Sequence, residues 1–227
     1  MALKDDLVSE VRTVFKSAWV ETTGRVVPVP NDVGLGNKAT LLQRAVVLYA
    51  DLDGSTNMVD TKIWGFSAEI YKTFLLCAAK IIRSESGDIT AYDGDRIMAI
   101  FIGDNKYDRA ARTALKIKWA RDNIIQPLIR EVYTTDFILA HTVGIDETDL
   151  RAVRTGVRGD NDLVWVGRAA NYAAKLTTLP SDTPTWITKA VYDNLSPSHR
   201  YTNDQARTWT PMSNMQIYCS NWHWSFT

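Results

Sequence analysis

Cysteine is scarce in this chain, two in 227 residues, and no run of apolar residues approaches the roughly 18 that a membrane-spanning helix needs. Cys77 and Cys219 stand far apart, and Cys77 lies inside the apolar run Phe74-Leu75-Leu76-Cys77-Ala78-Ala79, so a packed, reduced thiol is expected rather than a disulfide framework. Charge of one sign is not in excess either. Lysine plus arginine total 26, as do aspartate plus glutamate, so no net field draws the molecule to nucleic acid or to an anionic membrane. No basic, apolar, small-residue leader opens the chain, and the expectation is a soluble cytoplasmic protein without a membrane anchor. Histidine is rare: His141, His199 and His223 are scattered without metal-ligand spacing, which argues against a histidine-based metal centre.

What is present is an ordinary globular composition, 45% apolar and 23% charged. Spacings of three and four among Leu7, Val11, Val14, Phe15 and Trp19 predict an amphipathic helix near the start, a cap for the core or for a partner. Pro28, Pro30, Gly34 and Gly36 mark residues 24–43 as a loop. The reading divides the chain into an N-terminal helix and loop, 1–43, and a catalytic domain, 44–227. Within the latter, a strand ends in Ala45-Val46-Val47-Leu48-Tyr49-Ala50-Asp51, a helix covers about 57–83, and a hairpin turns at Asp93-Gly94. A second helix follows over about 106–131, then strands at Phe137 to Ile145, Arg151 to Val157 and Leu163 to Val166, and a short helix from Arg168 to Thr178. Alternation through Trp222, Trp224 and Phe226 predicts a last edge strand. This order is α+β: a ferredoxin-like βαββαβ core with extra strands and helices. That topology sets the end of the first strand beside the hairpin, so Asp51 and Asp95 would face one another on one rim of the sheet.

Carboxylates delivered by strand ends into a site serve a divalent cation or a proton transfer, because an uncompensated buried charge costs several kcal/mol. Three motifs carry the chemistry: Tyr49-Ala50-Asp51-Leu52-Asp53-Gly54-Ser55-Thr56, Gly94-Asp95-Arg96-Ile97-Met98-Ala99-Ile100-Phe101, and Val166-Gly167-Arg168-Ala169-Ala170-Asn171-Tyr172-Ala173-Ala174-Lys175. In this order, with these elements between them, they resemble the class III nucleotidyl cyclase family over about residues 44–178.

The resemblance implies phosphoryl transfer with two Mg²⁺ or Mn²⁺ ions per site, held at Asp51, its neighbour Leu52 and Asp95. A ribose 3′-hydroxyl attacks the α-phosphorus of a nucleoside triphosphate and pyrophosphate leaves. Gly54, Ser55 and Thr56 would offer backbone amides to the triphosphate, although a tight turn alone also explains Gly54. Asp53 is expected to cap the following helix. Asn171 and Lys175, one helical turn apart, would orient the ribose and stabilise α-phosphate charge in the site of the opposite subunit, which makes the enzyme a homodimer with shared active sites. Lysine stands where arginine is usual, keeping the charge but losing the planar fork.

Adenylyl cyclases of the family carry a lysine four residues before the second aspartate and an aspartate or threonine three residues before the last glycine, which read the adenine edge; those positions are Ala91 and Val164 here. Neither reads a base edge by hydrogen bonding. Bulky Tyr49 and Trp165 would shrink the pocket toward a pyrimidine, unless both are plain core residues. The combination resembles the pyrimidine cyclases of bacterial antiviral Pycsar systems, and the tyrosine before Ala50-Asp51 resembles the uridylate-forming members. That implies a UTP substrate and a messenger acting on a separate cyclic-nucleotide-activated effector, with cytidylate or purine cyclisation as alternatives.

Two other readings stand beside this one. Asp51-Leu52-Asp53-Gly54-Ser55 also fits the nucleophile motif of haloacid dehalogenase-like phosphatases, with Gly103-Asp104-Asn105-Lys106-Tyr107-Asp108 as a metal motif. A cyclase-like domain that binds nucleotide without turning it over is the non-enzymatic alternative. The basic run Arg151, Arg154 and Arg158 is read as a solvated strand face, with triphosphate contact as the alternative.

Overall fold

The computed structural model describes residues 2–157, 159–213 and 215–226. Arg158 therefore lies outside the described residues. After α1 (Leu3–Lys16) and β1 (Val20–Thr23), the long β2 (Lys38–Asp53) leads into α2 (Ser55–Thr61) and α3 (Trp64–Ser84). The hairpin β3 (Asp88–Asp93) and β4 (Arg96–Phe101) precedes α4 (Lys106–Ala120) and α5 (Gln126–Val132). Next come β5 (Ala140–Val157), β6 (Asp160–Val166), α6 (Arg168–Leu176), β7 (Thr185–Thr188), α7 (Lys189–Tyr192), α8 (Pro197–Arg200), β8 (Thr210–Pro211) and β9 (Ile217–Ser220).

One sheet runs in the order β3-β4-β2-β5-β7-β9-β8, with β1 beside the start of β2 and β6 beside the far end of β5. The four central strands are antiparallel in the ferredoxin-like order, and β2 lies between β4 and β5. No parallel neighbour flanks the Asp51 end of β2, which removes the phosphatase reading, whose fold needs parallel strands there. Strict alternation along β2 builds two cores. Val46, Leu48, Ala50 and Leu52 pack with Phe74, Ile82, Ala110 and Ala114 under α3 and α4. Ala45 and Val47 pack with Met98, Ile100 and Leu150 under Ala169, Ala170 and Ala173 of α6.

Several boundaries differ from the expectations, each for a local reason. β2 begins at Lys38, inside the segment expected to be loop, because a bulge between Leu42 and Ala45 breaks its alternation and puts Arg44 at φ 48°. The division at residue 43 thus falls within a strand. The helix expected over 57–83 is two helices, separated where Lys62 and Ile63 turn extended. The helix expected at 106–131 carries a π-turn at Arg121–Ile125, just before Pro127, which has no N–H to continue the ladder. Two expected strands are one, β5, since Asp146, which reads as a turn residue, is fully buried and bonded to Thr188 and Arg168.

Residues 221–226 form no strand; Trp224 instead stacks on His199 at 5.0 Å, and Phe226 meets Trp119 edge-on at 5.0 Å. Helix α1 has no buried residue and does not cap the core; Asn37 Nδ2 fastens its end by donating to the Val14 and Ser17 carbonyls at 2.8 Å. Both cysteines are free thiols. Among the described residues no helix is long and apolar enough to cross a membrane.

Candidate active site

The alternation that buries Val46, Leu48 and Ala50 sends Tyr49 and Asp51 to the opposite face of β2, toward α6. Pairing of Ala50 with Ile97 then sets the turn of the β3–β4 hairpin beside Asp51. Asp95 lies close enough that its charge raises the pKa of Asp51. Burial is the largest cause of that rise, and Arg96 opposes it. Arg96 donates to Asp51 Oδ2 through Nε at 3.1 Å and holds Nη2 at 3.1 Å in an ion pair with it, and the Thr177 hydroxyl, which donates to the Ala174 carbonyl at 2.8 Å, lies 3.4 Å from the same oxygen. Asp95 is the less compensated of the two: its Oδ2 is buried and has no hydrogen-bond partner among the described residues. A buried carboxylate oxygen without a donor leaves an acceptor open to a cation.

No group of three His, Cys, Asp or Glu side chains converges among the described residues. Two carboxylates and a nearby carbonyl suit Mg²⁺ or Mn²⁺, hard ions that take their remaining oxygens from substrate phosphates and water. Leu52, with a buried apolar side chain, offers such an ion only its carbonyl. Asp53 does not cap α2. It accepts a hydrogen bond from Ser181 Oγ at 2.5 Å, and the cap position is Gly54, whose φ of 72° no residue with a Cβ adopts easily. The first backbone bond of α2 runs from Met58 N to Gly54 O, which leaves the amides of Ser55 and Thr56 outside the helical ladder.

Helix α6 turns Ala169, Ala170, Ala173 and Leu176 inward and leaves Asn171 and Lys175 exposed. Lys175 Nζ lies 5.7 Å from the Tyr172 ring centroid, and both residues' helix borders a cleft of about 810 Å³ that Arg168 and Lys189 also line. Among the described residues no hydrogen bond or ion pair joins Asn171 or Lys175 to the carboxylate pair of the same chain.

At the base-reading positions, Ala91 is exposed beside a bulge in β3, and Val164 is 42% exposed. Val164 pairs with Val153, whereas its neighbour Trp165 packs against the same core as Tyr49. Val164 and Trp165 thus face opposite sides of β6, and Trp165 is the residue that shares a face with Tyr49. Tyr49 is half-buried and its pKa is raised, chiefly by burial, so it stays a neutral phenol; its hydroxyl has no partner among the described residues. Arg151 and Arg154 are structural. Arg151 pairs with Glu21 at 2.5 Å, and Arg154 bonds Asn161, Asn31 and the Val33 carbonyl. Arg96 is the site residue that sequence reading missed.

No family model matches the chain. A uridylate cyclase of Burkholderia cepacia is 54% identical over 99% of this chain and 100% of its own length, and one of Xanthomonas perforans is 52% identical over 99% of each. The chain belongs to the uridylate cyclase family. Its fold is that of the class III nucleotidyl cyclases. A bacterial light-regulated adenylyl cyclase matches with a TM-score of 0.63 at 20% identity, covering 80% of this chain and 91% of that one. The guanylyl cyclase Cya2 matches with a TM-score of 0.64 at 15% identity, covering 80% and 93%. Within a family of enzymes that close nucleotide rings, the paired carboxylates, the amides of Ser55 and Thr56 and the exposed Asn171 and Lys175 acquire a common context.

Proposed function

We propose that this enzyme converts UTP to 3′,5′-cyclic UMP and pyrophosphate, in sites completed between two copies of the chain. The observation that carries the reading is the pairing of Asp51 with Asp95, whose buried Oδ2 lacks a partner. Asp51, Asp95 and the Leu52 carbonyl would hold two Mg²⁺ or Mn²⁺ ions. Such ions neutralise charge on the phosphates and make the ribose 3′-hydroxyl more acidic. Ser55 and Thr56 direct amides at the triphosphate, with Gly54 shaping the turn. The outward-facing Asn171 of the partner copy orients the ribose, and Lys175 lies against the negative charge that grows on the α-phosphate as the P–O bond to pyrophosphate breaks. That both side chains are exposed and bonded to neither carboxylate of their own chain supports a shared site and hence a homodimer.

Tyr49 and Trp165, on one face, narrow the base pocket, and the unpartnered phenol of Tyr49 meets the uracil edge as donor or acceptor. The same rotatable hydroxyl can satisfy cytosine, so CTP is the second substrate to test. The likeness to antiviral pyrimidine cyclases supports a messenger role, with cyclic UMP activating a separate effector. Incubation with ATP, GTP, CTP and UTP in Mn²⁺, followed by mass identification of cyclised products, is the test. Cyclic UMP should dominate; a dominant cyclic purine would overturn the pocket assignment. Tyr49→Phe should lower kcat/KM for UTP by about tenfold or more, the worth of a buried hydrogen bond to the substrate.

A further inference from the structure

We propose that Arg96 is a resident counter-ion of the Asp51 carboxylate that opposes cation entry and leaves the carboxylate when the cation binds. The proposal rests on the reading of Asp51 and Asp95 as metal ligands. Arg96 follows Asp95 directly and opens β4 on the face that Asp51 and Tyr49 share. Its Nε and Nη2 both lie 3.1 Å from Asp51 Oδ2, and the Thr177 hydroxyl lies 3.4 Å from the same atom. The guanidinium donates to that oxygen through Nε and keeps Nη2 at contact distance, while the Thr177 hydroxyl spends its one proton mainly on the Ala174 carbonyl at 2.8 Å, so a divalent ion at this carboxylate would meet a full positive charge at close range while the guanidinium remains. Asp95 Oδ2, by contrast, has no donor at all among the described residues. The positive charge is thus placed on one carboxylate of the pair.

The guanidinium has somewhere to go. Its side chain is 33% exposed and leans on the Tyr49 ring, 5.9 Å from the centroid, so a rotation about the side chain carries it from the carboxylate toward solvent without unpacking the core. An arriving triphosphate offers pairs of phosphate oxygens in exchange, which the planar guanidinium can grip in bidentate fashion in place of a single carboxylate oxygen. Metal ion and Arg96 then compete for one carboxylate, and a metal without nucleotide binds with an affinity reduced by the fraction of sites that Arg96 leaves free. Nucleotide relieves that competition, so metal and triphosphate favour each other's binding.

The test uses the full chain without nucleotide. Mn²⁺ binding, followed by electron paramagnetic resonance, is compared between the parent and Arg96→Met, with Arg96→Lys as the variant that keeps the charge but not the fork. Loss of a charge-assisted hydrogen bond as competitor should tighten Mn²⁺ binding of Arg96→Met by about tenfold or more, with Arg96→Lys between the two. Removing a nearby positive charge would also help a cation that shares the site, so a second readout follows the ¹⁵N signal of the Arg96 side-chain Nε–H. It should be protected from solvent exchange in metal-free protein and lose that protection on addition of Mg²⁺. Protection that persists at saturating Mg²⁺, or Mn²⁺ binding of Arg96→Met no tighter than the parent's, overturns the proposal. Asp51→Asn separates the layers: if parent, Arg96→Met and Asp51→Asn all fail to bind Mn²⁺, or bind it equally, the metal-site reading itself fails and this inference with it.

Discussion

Gly144 lies in the middle of β5, directly under α6, and replacing it by alanine should damage catalysis more than stability. A Cβ at Gly144 would lie 2.1 Å from the Ala173 carbonyl oxygen and 2.7 Å from Leu176 Cβ. Real Cβ atoms essentially never approach closer than 3.0 Å, so the helix backbone must lift by about 0.9 Å. Trimming Leu176 does not help, because the closest atom belongs to the backbone of α6. Overpacking of this kind costs about 1 to 3 kcal/mol. In a chain of 227 residues that lowers Tm by about 2 to 4 °C per kcal/mol.

The larger effect concerns the site. Helix α6 carries Asn171 and Lys175 on its outer side, and Thr177, one residue past its end, touches Asp51. Lifting α6 moves all three relative to the carboxylates, and misplacement of catalytic groups by about 1 Å costs on the order of 100-fold in rate. The assay is kcat for cyclic UMP formation beside a thermal melt, for Gly144→Ala and for Gly144→Ala with Leu176→Ala. Both variants should show the large kcat loss with a modest fall in Tm, while Mn²⁺ binding by the strand carboxylates persists. Unchanged kcat with lowered Tm would mean that the exact height of α6 does not matter to the chemistry, and the assignment of Asn171 and Lys175 would fall.

Two further outcomes follow from the same geometry. Mixing Asp51→Ala chains with Lys175→Ala chains, each inactive alone, should restore about a quarter of parental activity, since half of randomly paired dimers hold one intact site of two; no recovery despite demonstrated subunit exchange would mean that each site is complete within one chain. His141 is fully buried, and burial, helped by the nearby Arg121, pushes its pKa down to about 3. The unfolded chain takes up its proton near the ordinary histidine value of 6.5. The native state therefore holds fewer protons between these values, and the stability present above the unfolded pKa is lost at about 1.4 kcal/mol per pH unit as pH falls through that window. Thermal melts of His141→Leu should show a flatter pH dependence below 6.5 than the parent, and an equal slope in both would remove His141 from the account.

The carboxylate pair and the order of the core elements were legible because each rests on local pattern: an apolar strand that ends in Asp51, a turn at Asp93-Gly94, and a helical turn separating Asn171 from Lys175. Arg96 was not legible, because its partner is 45 residues away on another strand and nothing local marks an arginine at a strand start as paired. The continuous β5 was hidden by Asp146, whose burial is made tolerable only by Thr188 and Arg168, residues the sequence sets far downstream. Gly144 did carry a signal: a glycine inside an otherwise apolar strand marks close approach of another backbone.

The base pocket shows how much a single strand residue decides. A count places Val164 at the base-reading position, and because a strand turns successive side chains to opposite faces, Val164 and Trp165 present to different surroundings. Arg151 pairs with Val166 and Ala152 with Trp165; Leu150 and Ala152 are fully buried, which puts Trp165 on the core-facing side and leaves Val164 with Val153 on the other. Selectivity on this reading comes less from the loss of purine-reading side chains than from the aromatic surfaces set in their place. Products formed from mixed triphosphates separate the two faces: a shortened Trp165 that admits larger bases puts the base on the Tyr49 face, whereas a polar residue at 164 that changes substrate choice puts it on the outer face and refutes the aromatic reading.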